Sequence, residues 1–434
     1  MARLWRRPRS GPCDDPIIRD SGCQTTRAST EDEASDVTDA NGCSRRIAEA
    51  ATAVIGIASP AFQIESGGKR AEEAFMSIGR HLACVTLVLG FGALASAAWA
   101  DDKITIGFVT HSQGDPFIQQ IIDGAQAAAN DLGVTLKVAQ QQGAAPDGQL
   151  KLVQNIVNAG AQGVATSVPG DSMANSLNDI IASGVPIVQF NLLSAAVKAP
   201  YVGEKSTQSG RILGKSIVDK LGGAATKGKV IIGNCFPGLT VLENRARGVE
   251  ESLKTAPGIA ILGPFDVKVS AVENYNHWEQ LYAANPDAVA LVGLCAPDVA
   301  SLGKLNAANA DKFVAGGYDL TAPNLQAVKD GHAYVTLGQS AFVQGYLPVA
   351  LLVRAIKSKK PLEVGFYNAG TQAVTASSVD MANNLPAMTF AELQAISSDP
   401  KATAAFYKPW SQCVNGPDAG KNCATIEPIA AEAQ

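Results

Sequence analysis

From Lys103 onward the chain alternates short apolar runs with longer amphipathic ones, and this alternation restricts the fold more than any other feature. ITIGFVT (104–110), VTLKVAQ, GVATSV and VPIVQF read as buried strands. Between them FIQQIIDGAQAAANDL, GQLKLVQNIVNA and SLNDIIASG carry apolar residues at helical spacing. A second series follows, with strands KVIIGN (229–234), IAILG, AVALVGL, FVAGGYD and AYVTLGQ. Its helices are VLENRARGVEESLKT, VENYNHWEQLYAANP, VASLGKLNAANA, PNLQAVKDG and a long FVQGYLPVALLVRAIKSKK. Strand–helix–strand units of this kind need a parallel sheet covered on both faces. Two such series exceed the usual size of one domain, so the sequence predicts an α/β protein of two similar doubly wound lobes with a cleft between them. With 46% hydrophobic residues and only 6% aromatic ones, the composition suits tightly packed α/β layers better than an all-β fold.

The segment before Lys103 concerns export. Residues 76–100 read MSIGRHLACVTLVLGFGALASAAWA. Arg80 and His81 form a basic start, Leu82 to Leu94 an apolar core, and Ala98-Trp99-Ala100 a small-x-small cleavage site. The expectation is a signal peptide cleaved after Ala100 and a periplasmic mature chain. Such a signal works from an N-terminus, which makes Met76 the expected start and residues 1–75 a non-native or disordered extension. Cys84 precedes the apolar core instead of ending it, so a lipoprotein is not expected.

Of the eight cysteines, Cys235, Cys295, Cys413 and Cys423 fall in the mature part, an even number that suggests disulfides in an exported chain. Cys413 and Cys423 bracket the turn-rich VNGPDAGKN. Cys235 and Cys295 follow the first and third strands of the second series, which are neighbours in a flavodoxin-like strand order. A pair of buried free thiols is the alternative there.

Several functions are excluded or left without support. A net charge of −5 argues against a nucleic-acid surface. The mature part has no H-E-x-x-H, C-x-x-C or G-x-S-x-G, so neither a metal nor a hydrolase elbow is expected, and no cofactor is implied. Gly90-Phe91-Gly92-Ala93-Leu94-Ala95 matches a dinucleotide fingerprint but lies in the signal core. Gly214-Lys215-Ser216 resembles the end of a phosphate loop but sits inside a helical run, with Ser209 where the first glycine is required.

In parallel α/β sheets, ligands bind beyond the carboxyl ends of the strands. There stand Gln113, Asp115 and Phe117 of HSQGDPF, then Asn191, Cys235-Phe236, Cys295-Ala296-Pro297, Asp319 and Gln339, with Arg245 in an adjoining helix. Acids, amides, an arginine and a ring suit a neutral polyhydroxyl ligand, since charged groups bond hydroxyls strongly and a ring packs on C–H faces. Each residue also has a plainer reading. Asp115 is a natural N-cap, Phe117 fits a core, Arg245 fits a solvated helix face, and Asp319 and Gln339 fit turn capping and strand-end solvation.

The same region resembles the periplasmic sugar-binding proteins of ABC transporters, of the ribose/galactose type. DPF (115–117), DGAQAAANDLG (123–133), GVPIV (184–188), YVGEKSTQSGR (201–211), RARG (245–248), GYDLT (317–321), KDG (329–331) and Q-x4-QGY (339–346) follow in the family's order. The resemblance implies two lobes joined by a hinge. The first takes residues 101–204 and about 340–366, the second 205–339 and about 367–385, with 386–434 as a tail packing on one lobe. It implies a monomeric, non-enzymatic binding protein that delivers a sugar or polyol to a membrane permease, a role compatible with presentation to a chemotaxis receptor. Asp115, Phe117, Gln113, Asn191, Arg245, Asp319 and Gln339 are the implied ligand contacts. The alternatives are an exported α/β enzyme acting on a small carbohydrate and the ligand-sensing core of a lac-repressor-type regulator, which shares the two lobes. The latter needs a DNA-binding helix pair where this chain has a signal.

The chain departs from the pattern at the pocket. Asn191 replaces an aspartate, Leu192 the arginine after it, Ile118 a second aromatic, and Cys295-Ala296-Pro297 an amide-bearing turn, with Val269 near where a ring is usual. These changes favour a smaller or less polar pentose, ketose or polyol over ribose.

Overall fold

A computed structural model describes residues 103–380, 387–416 and 426–427. The expected extension, the signal peptide and Cys423 lie outside the described residues.

The first lobe is built from β1 (Thr105–Thr110), α1 (Pro116–Leu132), β2 (Thr135–Gln140), α2 (Pro146–Asn158), β3 (Gly163–Thr166), α3 (Ala174–Ala182), β4 (Ile187–Phe190) and β5 (Tyr201–Gly203). β1 is buried along nearly its whole length, as a central parallel strand covered on both faces must be. The opening of α1 is fixed locally. Asp115 caps it by accepting the Phe117 N–H at 2.9 Å, Pro116 occupies the first turn where no donor is needed, and Gly133 closes it in the left-handed region.

The second lobe repeats the scheme with α4 (Ser206–Lys220), β6 (Lys227–Asn234), α5 (Thr240–Leu253), β7 (Gly258–Asp266), α6 (Ala271–Ala284), β8 (Ala288–Gly293), α7 (Asp298–Ala308), β9 (Val314–Tyr318), α8 (Ala322–Lys329) and β10 (Val335–Gly338). The chain then continues through α9 (Ala341–Ser358), β11 (Phe366–Asn368), β12 (Gln372–Thr375) and β13 (Ser378–Val379). The strand orders are β14-β11-β5-β4-β3-β1-β2, with β14 being Ile426–Glu427, and β13-β12-β10-β9-β8-β6-β7. Each core of five parallel strands thus has the doubly wound order 2-1-3-4-5. The short strands β11 to β14, only two to four residues long, carry too little pattern to be read from sequence.

The chain passes between the sheets after β5, after β10 and after β11. Residues 204–205, 339–340 and 369–371 therefore form the hinge. In each lobe a helix that has crossed from the other packs closely on a resident one. A Cβ at Gly124 of α1 would overlap the Phe342 carbonyl of α9, and one at Gly345 would overlap the Ile121 carbonyl. Gly210 of α4 and Gly248 of α5 stand in the same relation to the Arg245 and Thr207 carbonyls. A methyl group has no space at these crossings. Gly248→Ala is expected to lower stability by about 1–3 kcal/mol or more, measured by urea unfolding, because the obstructing atoms are backbone and cannot rotate away.

The tail differs from the expected docking on one lobe. α10 (Phe390–Ser397) buries Leu393 against Leu325 and Val374 of the second lobe. α11 (Pro400–Phe406) and α12 (Lys408–Asn415) belong to the first-lobe core, where Tyr407 stacks on Phe342 at 4.5 Å and Trp410 meets Tyr346 edge-on. Apolar residues at both ends of the segment need cover, and the two lobes provide it separately. No helix among the described residues is long and apolar enough to cross a membrane.

Candidate functional site

The carboxyl ends of the strands in both sheets face a common cleft. A cavity of about 350 Å3 lies there, within the range of small-molecule sites. Its lining includes Gln113, Asp115, Phe117 and Asn191 from the first lobe, Arg245 and Asp319 from the second, and Gln339 from the hinge. The implied ligand contacts are therefore brought to one place.

The strands that deliver Asn191 and Asp319 are the fourth of each lobe's parallel core. Both residues stand at the strand end with left-handed backbones, φ 59° and 75°. Asn and Asp tolerate this region better than other side-chain-bearing residues, which explains their use at a sharp turn out of a strand. The Asn191 carbonyl accepts from the Tyr201 hydroxyl at 2.8 Å. The Asp319 carbonyl is held by Thr336 Oγ1 and Asn324 Nδ2, each at 2.9 Å. Two strained corners are thereby pinned from behind.

Their side chains join through the hinge. Asn191 Nδ2 donates to Gln339 Oε1 at 3.3 Å and to Gln344 Oε1 at 3.2 Å, and Gln339 Nε2 donates to Asp319 Oδ1 at 2.7 Å. The first lobe, the hinge and the second lobe are thus connected by one chain of amide and carboxylate groups.

Arg245 is more occupied than a solvated helix residue. Its Nε lies 2.5 Å from Glu204 Oε1, its Nη1 donates to the Leu294 carbonyl at 2.7 Å, and its guanidinium stacks 3.9 Å from the Tyr318 ring centre. Burial alone would lower the Arg245 pKa, and the Glu204 carboxylate more than reverses this, so the charge is kept. Phe117 serves core and cavity together, at 5% exposure.

Burial pushes Asp319 up to about 7, against the pull of Arg245 and the Gln339 amide. Burial also raises Asp115, opposed by the Phe117 and Ile118 N–H groups. His111, 3.1 Å from Ser167 Oγ, is held down to about 4 by burial and is uncharged at neutral pH. With Arg245 matched by Glu204, the remaining polar surface is mainly one of acids and amides. It accepts hydrogen bonds from hydroxyls and does not attract an anion. Among the described residues no group of three or more His, Cys, Asp or Glu could hold a metal.

Cys235 and Cys295 form a disulfide between the ends of the adjacent strands β6 and β8, and both line the cavity. The strand-end argument had placed them together. It would also have found two features that were overlooked: the Gln142-Gly143-Ala144 loop after β2, and Glu204 after β5. The apolar lining by Leu239, Val241 and Leu242 carried no signal, because such residues at a helix start read as core.

Residues 106–360 match the family model described as a periplasmic binding protein domain. The chain belongs to this family. Among curated proteins, the ribose import binding protein of Haemophilus influenzae is 25% identical over 272 residues, covering 62% of this chain and 90% of that protein. The ribose import binding protein of Salmonella typhimurium is 27% identical, covering 65% and 94%. The xylose/arabinose-binding protein of Sulfolobus acidocaldarius is 21% identical, covering 63% and 71%. Among solved structures, a solute-binding protein of Burkholderia graminis in complex with D-arabinose gives a TM-score of 0.59 at 21% identity, covering 66% of this chain and 98% of that one. That structure and this chain share one fold.

Proposed function

We propose that the protein is the solute-binding component of an ABC importer, exported by the segment 76–100, and that its two lobes close on a neutral sugar or polyol. The observation that carries this is the convergence of Asp115, Asn191, Asp319 and Gln339, drawn from both lobes and the hinge, on one cavity. A ligand touched by both lobes favours the closed state through that shared contact alone. Ribose, xylose and arabinose are bound by relatives by name, which places monosaccharides first among the ligands to try. Several buried hydrogen bonds and the Phe117 ring are compatible with micromolar affinity, about −8 kcal/mol. Asp115, Phe117, Gln113, Asn191, Asp319 and Gln339 are the proposed contacts, with Arg245 fixing the second lobe's wall. The reading needs no catalytic group, and the closed form is what a permease would receive.

The test is a thermal-shift screen of residues 101–434 against pentoses, hexoses, polyols and amino acids. A ligand at 100 times its Kd adds about 2.7 kcal/mol, a rise of a few degrees. A rise with sugars or polyols that is lost in Asp115→Ala supports the proposal. A rise only with amino acids removes the sugar.

Affinity should also depend on pH. Ligand hydroxyls donate to ionised Asp319, so a proton on that carboxylate competes with the ligand. Asp319 titrates near 7 in the empty site. Affinity is expected to fall as pH drops below 7, by up to about tenfold per unit. Asp115 acts in the same sense, and His111 stays neutral down to about 4. Calorimetric titrations at pH 8 and pH 5.5 measure the slope, and equal affinities at the two would contradict it.

A further inference from the structure

The cavity's polar side chains come from the first lobe, with Gln113, Asp115, Gln142 and Asn191, and from Asp319 and Gln339, whereas one stretch of the second lobe's lining is apolar. The amide and carboxylate chain from Asn191 through Gln339 to Asp319 forms the hinge side. Elsewhere in the lining the second lobe offers Phe236, Leu239 and Val241 together with the Cys235–Cys295 disulfide. Val241 is buried in one apolar cluster with Leu192 and Ala144 of the first lobe, and Phe236 and Leu239 pack against that cluster. Leu192 stands directly after Asn191, so the chain turns from the polar side to the apolar one within a single residue. None of these side chains can accept or donate a hydrogen bond to a hydroxyl, the sulfurs being weak partners at best.

A monosaccharide carries hydroxyls around its whole perimeter. A hydroxyl pressed on this wall would lose water and gain no partner, whereas a methyl group or a hydrogen there would lose nothing. We propose that the site selects a monosaccharide with an apolar substituent, a deoxy or methyl-bearing sugar, over its fully hydroxylated parent. This rests on the sugar-binding reading above and narrows it. The hydroxylated edge faces Asn191, Gln339 and Asp319, and the deoxygenated or methylated edge faces Leu239, Val241 and the disulfide.

The experiment is calorimetric titration of residues 101–434 with matched pairs: D-galactose and D-fucose, L-mannose and L-rhamnose, D-ribose and its methyl glycoside. In at least one pair the deoxy or methyl member is expected to bind about 10–100-fold tighter, the range for an unpaired hydroxyl against an apolar pocket. Val241→Thr and Leu239→Gln should each narrow that ratio by admitting a partner for the hydroxyl, with thermal stability in the absence of sugar as the folding control. Parent sugars binding as tightly as their partners, or tighter, in every pair that binds would overturn the inference and leave the sugar reading standing. Binding confined to fully hydroxylated sugars or polyols outside the pairs would do the same. No heat from any sugar or polyol would overturn both.

Discussion

Glu204→Ala is expected to lower the unfolding free energy by about 3–5 kcal/mol, the cost of leaving a buried charge without its partner. Glu204 is only 1% exposed and stands in the first hinge crossing, where its carboxylate meets Arg245 of α5. Removing it leaves a guanidinium at 3% exposure with the Leu294 carbonyl, the Tyr318 ring and the more distant charge of Asp319. The double variant Glu204→Leu/Arg245→Met removes both charges and is expected to recover at least half of the loss, since apolar pairs replace buried ion pairs at little cost. Urea unfolding of wild type, both single variants and the double variant measures the coupling. A Glu204→Ala loss below about 1 kcal/mol, the scale of an exposed pair, would show that the bridge does not hold the hinge.

Asp319→Asn is expected to weaken sugar binding about 100-fold while leaving the empty protein as stable or more so. The two effects have opposite signs for one reason. The folded pKa, about 7, lies above the ordinary 3.8, so the native state favours the protonated carboxyl. Above pH 7 the ionised group destabilises the fold, and that penalty diminishes as pH falls towards 4. An amide keeps the shape and tolerates the left-handed backbone, yet carries no charge to penalise. The ligand loses its charge-assisted acceptor, worth roughly 2–3 kcal/mol. Thermal melts at pH 8 without sugar, beside titrations with it, separate the effects. A variant that loses stability and affinity together would make Asp319 a structural corner rather than a contact.

Much of what was legible in the sequence was packing. Within DGAQ, QSGR, RARG and QGY, the residues Gly124, Gly210, Gly248 and Gly345 are where crossing helices touch backbone to backbone. Such positions tolerate no side chain, so they mark the two-lobed fold without naming a ligand. Asp115, Asn191 and Asp319 were legible because strands of a parallel sheet deliver their ends to one side. Glu204 stands at a strand end within reach of the same argument, but its pairing with Arg245, 41 positions away, was not legible because the two meet only where the chain changes lobes. The apolar wall was hidden for another reason: Val241 and Leu242 look like the core face of a helix, and only the packing of Val241 with Leu192 of the first lobe, beside the cavity they line, shows a boundary there. The bridging tail was misjudged because its short helices carry apolar residues without indicating which surface covers them.

The most direct measurement is isothermal titration of residues 101–434 with pentoses, hexoses, deoxyhexoses and polyols, repeated on Asp319→Asn. The expected result is saturable one-to-one binding of a neutral sugar or polyol in the micromolar range, weakened about 100-fold in the variant. No binding by any of them, or binding that Asp319→Asn leaves unchanged, would contradict a sugar site in this cleft.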